Sequence, residues 1–211
     1  MAKNKNVKDA DVLTSDGVLN LIDKYFEAGG ISDRPNDTNK IKKYIEAGGD
    51  LKVQLPHSDA AGHAEGVDDG GMGIGHILAR YAAPGTMQAF IDKGGNINIQ
   101  NSAGETAAHI FVTDGICNSI AKPEEIRKMA GQLIGTSLEM HDKNGLNFAE
   151  AGYARLVFGS EKHIGESIVA AIDRAQSNDP EFGRFKPVQE ALIKEFGRDR
   201  VVEMAQKGID A

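Results

Sequence analysis

Apolar residues recur at helical intervals along this chain and are cut off at regular distances by glycine pairs. Leu19, Ile22, Tyr25 and Phe26 share one face of a predicted helix over 18–26, which Gly29-Gly30 ends. After a turn at Pro35-Asn36-Asp37, a cap at Asp37 or Thr38 opens a second helix with Ile41, Tyr44 and Ile45 inward, stopped by Gly48-Gly49. The same grammar returns in a helix over 74–81, a turn at Pro84-Gly85, and a helix carrying Met87, Phe90 and Ile91 that Gly94-Gly95 closes. A third pair starts at Thr106, turns near Asp114-Gly115, and resumes at Pro123 with Ile126, Met129, Ala130, Leu133 and Ile134 on one face before Gly135. A fourth runs from Asn147 through Phe158-Gly159 to a helix bearing Ile164, Ile168, Val169 and Ile172. Asn178-Asp179-Pro180 breaks the chain, and two short helices, about 187–196 and 199–207, finish it.

The pattern is an internal repeat. Residues 45–54, Ile-Glu-Ala-Gly-Gly-Asp-Leu-Lys-Val-Gln, return at 91–100 as Ile-Asp-Lys-Gly-Gly-Asn-Ile-Asn-Ile-Gln. Gly71 to Gly104 is 33 residues, and so is His76 to His109. Gly48 to Gly94 is 46 and Gly104 to Gly145 is 41, which places surplus residues near 55–68 and 116–122. One helix pair cannot bury its own apolar face, whereas stacked neighbours can, so tandem units of this kind predict an all-α solenoid.

Gly104-Glu105-Thr106-Ala107-Ala108-His109, the parallel Gly71-Met72-Gly73-Ile74-Gly75-His76, and the turn Gly135–Gly145 together resemble ankyrin repeats, with hairpin-like turns and a Thr-Pro-Leu-His-x-Ala signature. Ala107 stands in place of the proline, Gly73 in place of the threonine, and Glu150 in place of the third histidine. The expected layout is a flexible 1–10, an ankyrin-like domain over 11–175 of about four units, and a helical cap over 176–211. The resemblance implies a protein–protein interaction module, not an enzyme, whose turn tips and first helices line a concave face. By that resemblance Asp69, Met72, Ser102, Glu105, Lys143, Asn144 and Leu146 are tip residues, and Arg80, Tyr81, Thr113, Asp114 and Arg155 are first-helix residues facing a partner protein. It further implies that His76 and His109 bond the backbone and neighbouring turns.

Composition narrows the partner. A net charge of −7 over 211 residues argues against nonspecific nucleic-acid binding. No apolar run approaches the ~20 residues that span a bilayer, and no apolar signal segment follows the basic start. The single Cys117 rules out an internal disulfide and fits a reducing compartment such as the cytoplasm. A monomer without cofactor or metal is expected. Divergent ankyrin proteins with insertions also resemble effectors delivered into a host cell by a route without an N-terminal signal peptide, where the partner is a host protein.

The insertion holds His57, Asp59, His63, Glu65, Asp68 and Asp69, and no Lys or Arg occurs between Lys52 and Arg80. It reads as an acidic finger for a basic partner. Two alternatives stay open: a regulatory inhibitor of one enzyme, and a metal-dependent enzyme using His57 and His63. Gly70–Gly75 lacks the Gly-Lys-Ser/Thr ending of a phosphate loop.

Overall fold

The computed structural model describes residues 14–27, 34–56, 70–116, 121–134, 138–152 and 186–210. Among them the chain is helical and has no strand. A single antiparallel bridge joins Gln54 to Gly73. The helices are α1 Ser15–Glu27, α2 Arg34–Glu46, α3 Ile74–Arg80, α4 Pro84–Asp92, α5 Ala107–Ile110, α6 Pro123–Leu133, α7 Lys186–Phe196 and α8 Arg198–Asp210. A π-helical turn, Phe111–Gly115, continues α5. A further helix begins at 148 and is described as far as 152. Among the described residues, no helix is long and apolar enough to cross a membrane.

Helix starts follow local chemistry. Thr14 caps α1, its hydroxyl accepting from Gly17 N–H at 3.1 Å, so the helix opens before the apolar face begins. α2 opens at Arg34 rather than at Asp37 or Thr38, because Pro35 fits a first helical turn. Pro84 likewise begins α4 instead of a turn, and the reversal lies at Tyr81–Ala83. The N–H of Lys122 donates to the Glu125 carboxylate at 2.9 Å and starts α6. Gly197, at φ +81°, divides α7 from α8.

The helix ends repeat in detail. Gly48 N–H donates to Ile45 O and Gly49 N–H to Tyr44 O; Gly94 N–H donates to Ile91 O and Gly95 N–H to Phe90 O. These are Schellman caps. The first glycine of each pair sits at positive φ, +80° and +86°. The second lies under an aromatic ring: a Cβ on Gly49 or Gly95 would fall 2.3 Å from Tyr44 or 2.5 Å from Phe90. The glycine pairs are therefore two separate requirements, one of backbone and one of packing.

The helices form two rows. α1 packs on α3 and α3 on α5; α2 packs on α4 and α4 on α6; α3 and α4 join the rows. α7 then packs on α6 and α8 on α7. The shared core of these helices includes fully buried Ile22, Ile45, Leu78, Phe90, Phe111 and Met129. Gly115 lets the π-helical turn lie close against α3 within one row, since a Cβ there would fall 2.3 Å from the Ala79 carbonyl oxygen.

Both length anomalies have structural explanations. Asn101 N–H donates to Glu105 O and Gly104 N–H to Asn101 O, at 2.9 and 3.0 Å. In the preceding turn Leu55 plays the part of Asn101: its N–H donates to Met72 O at 2.8 Å and its carbonyl accepts from Gly71 N–H at 3.1 Å. Gln54 Nε2 donates to Gly71 O as Gln100 Nε2 donates to Gly104 O, both at 2.7 Å. The surplus thus enters right after Leu55. The second surplus divides between the connection before Pro123 and α6 itself, which has 11 residues against 9 in α4.

Several sequence expectations fall outside the described residues. They are the 1–10 segment, the Gly29-Gly30 stop, the insertion histidines and acids including Asp69, Cys117, Gly135, Arg155 and the second helix of the fourth unit.

Candidate partner-binding face

Successive turns are joined edge to edge. Ser102 N–H donates to Gly70 O at 2.7 Å, and Lys143 N–H to Ala103 O at 2.8 Å. Each turn is shaped by one side chain. The Asn101 Oδ1 accepts from Ala103 and Glu105 N–H at 3.0 and 2.8 Å, and the Asp142 Oδ1 accepts from Asn144 and Leu146 N–H at 2.8 and 2.9 Å. Gly104 and Gly145 close these turns at φ +77° and +74°. A cross-turn bond from Gln100 Nε2 to His141 O, 2.9 Å, adds to the row.

Histidines tie each helix start to the following turn. His76 Nδ1 accepts from Gly73 N–H at 3.0 Å, and its Nε2 meets Glu105 O at 3.0 Å. His109 Nδ1 accepts from Thr106 N–H at 3.2 Å, and its Nε2 meets Leu146 O at 3.1 Å. A nitrogen that accepts from a backbone N–H carries no proton, so both rings are neutral with the proton on Nε2. Burial pushes the His76 pKa down to about 4 and lowers that of His109. Both rings are buried and fully engaged, as structural histidines.

In the fourth unit Glu150 takes the histidine's place. Its Oε2 accepts from Asn147 N–H at 2.9 Å and from Lys207 Nζ, on α8, at 2.8 Å. The direction of donation is reversed: the stack's own side chain now accepts, and the last helix of the chain donates.

Beside the turns, Arg80 at the end of α3 lies 3.6 Å from the Asp114 carboxylate in the π-helical turn. Thr113 Oγ1, in that turn, donates back to His109 O of α5 at 2.9 Å. Burial raises the Glu105 carboxyl pKa, and the charges of Asp114 and Asp142 raise it further. The Asn101 hydrogen bond, 2.8 Å to Oε2, and Arg80 work against them. Asp114, Asp142 and Arg80 thus all act on the Glu105 carboxyl, and Arg80 also pairs with Asp114.

Seven expected site residues reach the surface at least partly: Arg80, Ser102, Glu105, Thr113, Asp114, Lys143 and Asn144. Three do not. Tyr81 is 1 % exposed and points its hydroxyl at Asp37 Oδ2, 3.5 Å away, where α3 meets α2. Met72 lies under the Asn101 amide, with Nδ2 3.5 Å from its sulfur, and Leu146 is buried beneath the Asp142 turn. Apolar bulk at these points stabilises the stack and offers nothing to a partner. Asn101 and Asp142, which build the face, were not singled out, although each stands three residues before a turn glycine. Among the described residues, no three His, Cys, Asp or Glu side chains are grouped to hold a metal ion.

The chain matches no protein-family model, and no curated protein matches its sequence.

Proposed function

We propose that this chain is a divergent ankyrin-like recognition module that binds the basic segment of a partner protein along its turn tips and the Arg80–Asp114 edge. The observation that carries this reading is the edge-to-edge joining of the turns through Ser102–Gly70 and Lys143–Ala103, which holds Glu105 and Asp142 on adjoining turns, with Asp114 beside them on the π-helical turn. A surface fixed before binding loses little conformational entropy on association, which favours affinity. Its carboxylates at Glu105, Asp114 and Asp142 outnumber the Arg80 guanidinium and the Lys143 ammonium on the same face, which suits cationic side chains. Binding a host or regulatory protein in the cytoplasm is consistent with this chemistry. The partner is identified by its charge alone.

The test is affinity capture with the full chain, comparing the parent with Glu105→Gln plus Asp114→Asn. A partner that is retained by the parent, elutes with rising salt, and is lost by at least tenfold in the folded double variant supports the reading. Equal retention by both proteins overturns it.

A further inference from the structure

The row α2–α4–α6 carries a groove of about 780 Å3, and none of its lining residues belongs to the turns or to the Arg80–Asp114 cluster. Its charge is of the other sign. Lys42 comes from α2 and Lys128 from α6, one on each side of α4. Lys42 lies 3.8 Å from Glu46, an exposed pair that water and salt weaken. Lys128 is exposed and has no ion-pair partner among the described residues. The lining carboxylate, Glu125, accepts from Lys122 N–H.

Hydrogen-bonding capacity is unspent along the groove. Ala83 gives α4 no side-chain cap, so the N–H groups of Gly85 and Thr86 have no intrahelical acceptor. A Cβ built on Gly85 meets nothing within 4 Å, so space is open at Gly85, while Thr86 is buried beside it. Beside them, Gln132 Nε2 donates to Pro84 O and to Gln88 Oε1, both at 3.0 Å, and Gln88 Nε2 donates to Asp92 at 2.8 Å. This chain of amides fixes Gln132 so that its Oε1 is buried without a donor. Buried polar atoms normally have partners, and one without calls for an explanation.

The groove thus presents two ammonium groups and, at Gly85, an open backbone N–H donor, with the Gln132 Oε1 buried behind them. A bare carboxylate ion does not fill a groove of about 780 Å3 whose lysines lie on either side of α4. An acidic peptide does, with side-chain carboxylates for the lysines and a carbonyl for the Gly85 N–H. The volume lies towards the upper end of the ~300–1,000 Å3 typical of ligand sites, and the groove is open, which suits an extended chain. We propose that this groove docks an acidic, extended peptide segment of a partner protein, independently of the turn-tip face.

The probe is a short fluorescein-labelled peptide of alternating Glu and Ser, titrated with the full chain by fluorescence polarisation and followed by amide chemical shifts. The expected result is saturable binding that moves the Gly85, Thr86 and Gln132 resonances. Lys42→Glu plus Lys128→Glu weakens it about tenfold or more, a Gln/Ser peptide binds as weakly, and Lys143→Glu leaves it unchanged. Should charge reversal unfold the chain, Lys42→Ala plus Lys128→Ala makes the same decision. Unchanged affinity in the lysine variants, still shifts at these amides, or inorganic phosphate that reproduces the shifts at the same concentration each overturns the proposal.

Discussion

His109 Nε2–H donates across 3.1 Å to the carbonyl of Leu146, 37 residues further along the chain. The bond joins a helix start to the following turn, and His76 makes the same bond to Glu105. Removing the ring strands Thr106 N–H and the Leu146 carbonyl in a buried site. His109→Ala is expected to cost about 1–3 kcal/mol, the usual range for buried polar groups left unpaired. Urea unfolding checks it, and an unchanged midpoint rules out the tie as a stabilising contact.

The same histidines make stability depend on pH. His76 titrates near 4 in the fold and near 6.5 when unfolded, so the unfolded chain binds more protons between those values. Stability is full above pH 6.5 and is lost as pH falls towards 4, with about 2 kcal/mol gone by pH 5 from His76 alone. His109 adds in the same direction. Glu105, with its raised pKa, acts oppositely: its contribution is full below the unfolded value of 4.5 and fades as pH rises through the folded one. Unfolding free energies measured from pH 7 to 5, in the parent and in His76→Gln, should converge as pH drops.

The paired glycines should respond unequally to alanine. Gly94 is at φ +86° with free space around it, so Gly94→Ala costs only backbone strain, about 1 kcal/mol. Gly95→Ala drives a methyl into the Phe90 ring and is expected to cost about 2–3 kcal/mol. Phe90→Leu in the Gly95→Ala background should recover part of that loss and should not help Gly94→Ala. Equal costs for the two glycines would contradict the ring contact.

Glu150 and Lys207 supply a third kind of test. The Glu150 side chain is 5 % exposed, and Lys207 is half exposed. Lys207→Ala leaves a buried carboxylate without its cation and should cost about 2 kcal/mol. Adding Glu150→Gln removes the charge and should return part of it. Thermal unfolding of the two single variants and the double variant measures the coupling, and strict additivity would mean that the contact stabilises nothing.

Helix content, the glycine stops and the structural histidines were legible because each rests on short-range chemistry. Gly94 and Phe90 are five residues or fewer apart, and Thr106 and His109 are three apart. The site was legible only in part. Helical spacing puts Arg80 and Tyr81 on adjacent positions, yet a side chain's exposure depends on what the next element brings. Arg80 met the Asp114 carboxylate at the edge, and Tyr81 met the start of α2. The π-helical turn that aims Asp114 at Arg80 leaves no distinct mark on hydrophobic periodicity. Nor does any local pattern join Glu150 to a lysine 57 positions later.

The clasp of Leu55 on Met72 and Gly71 brings two chain positions together at fixed geometry just before α3 begins. Whatever is spliced between them starts and returns at neighbouring points, so doubling its length costs only about 0.6 kcal/mol of closure entropy. That junction is a natural graft point. A reporter, epitope or foreign loop carried there can be exchanged while the surrounding architecture keeps its register.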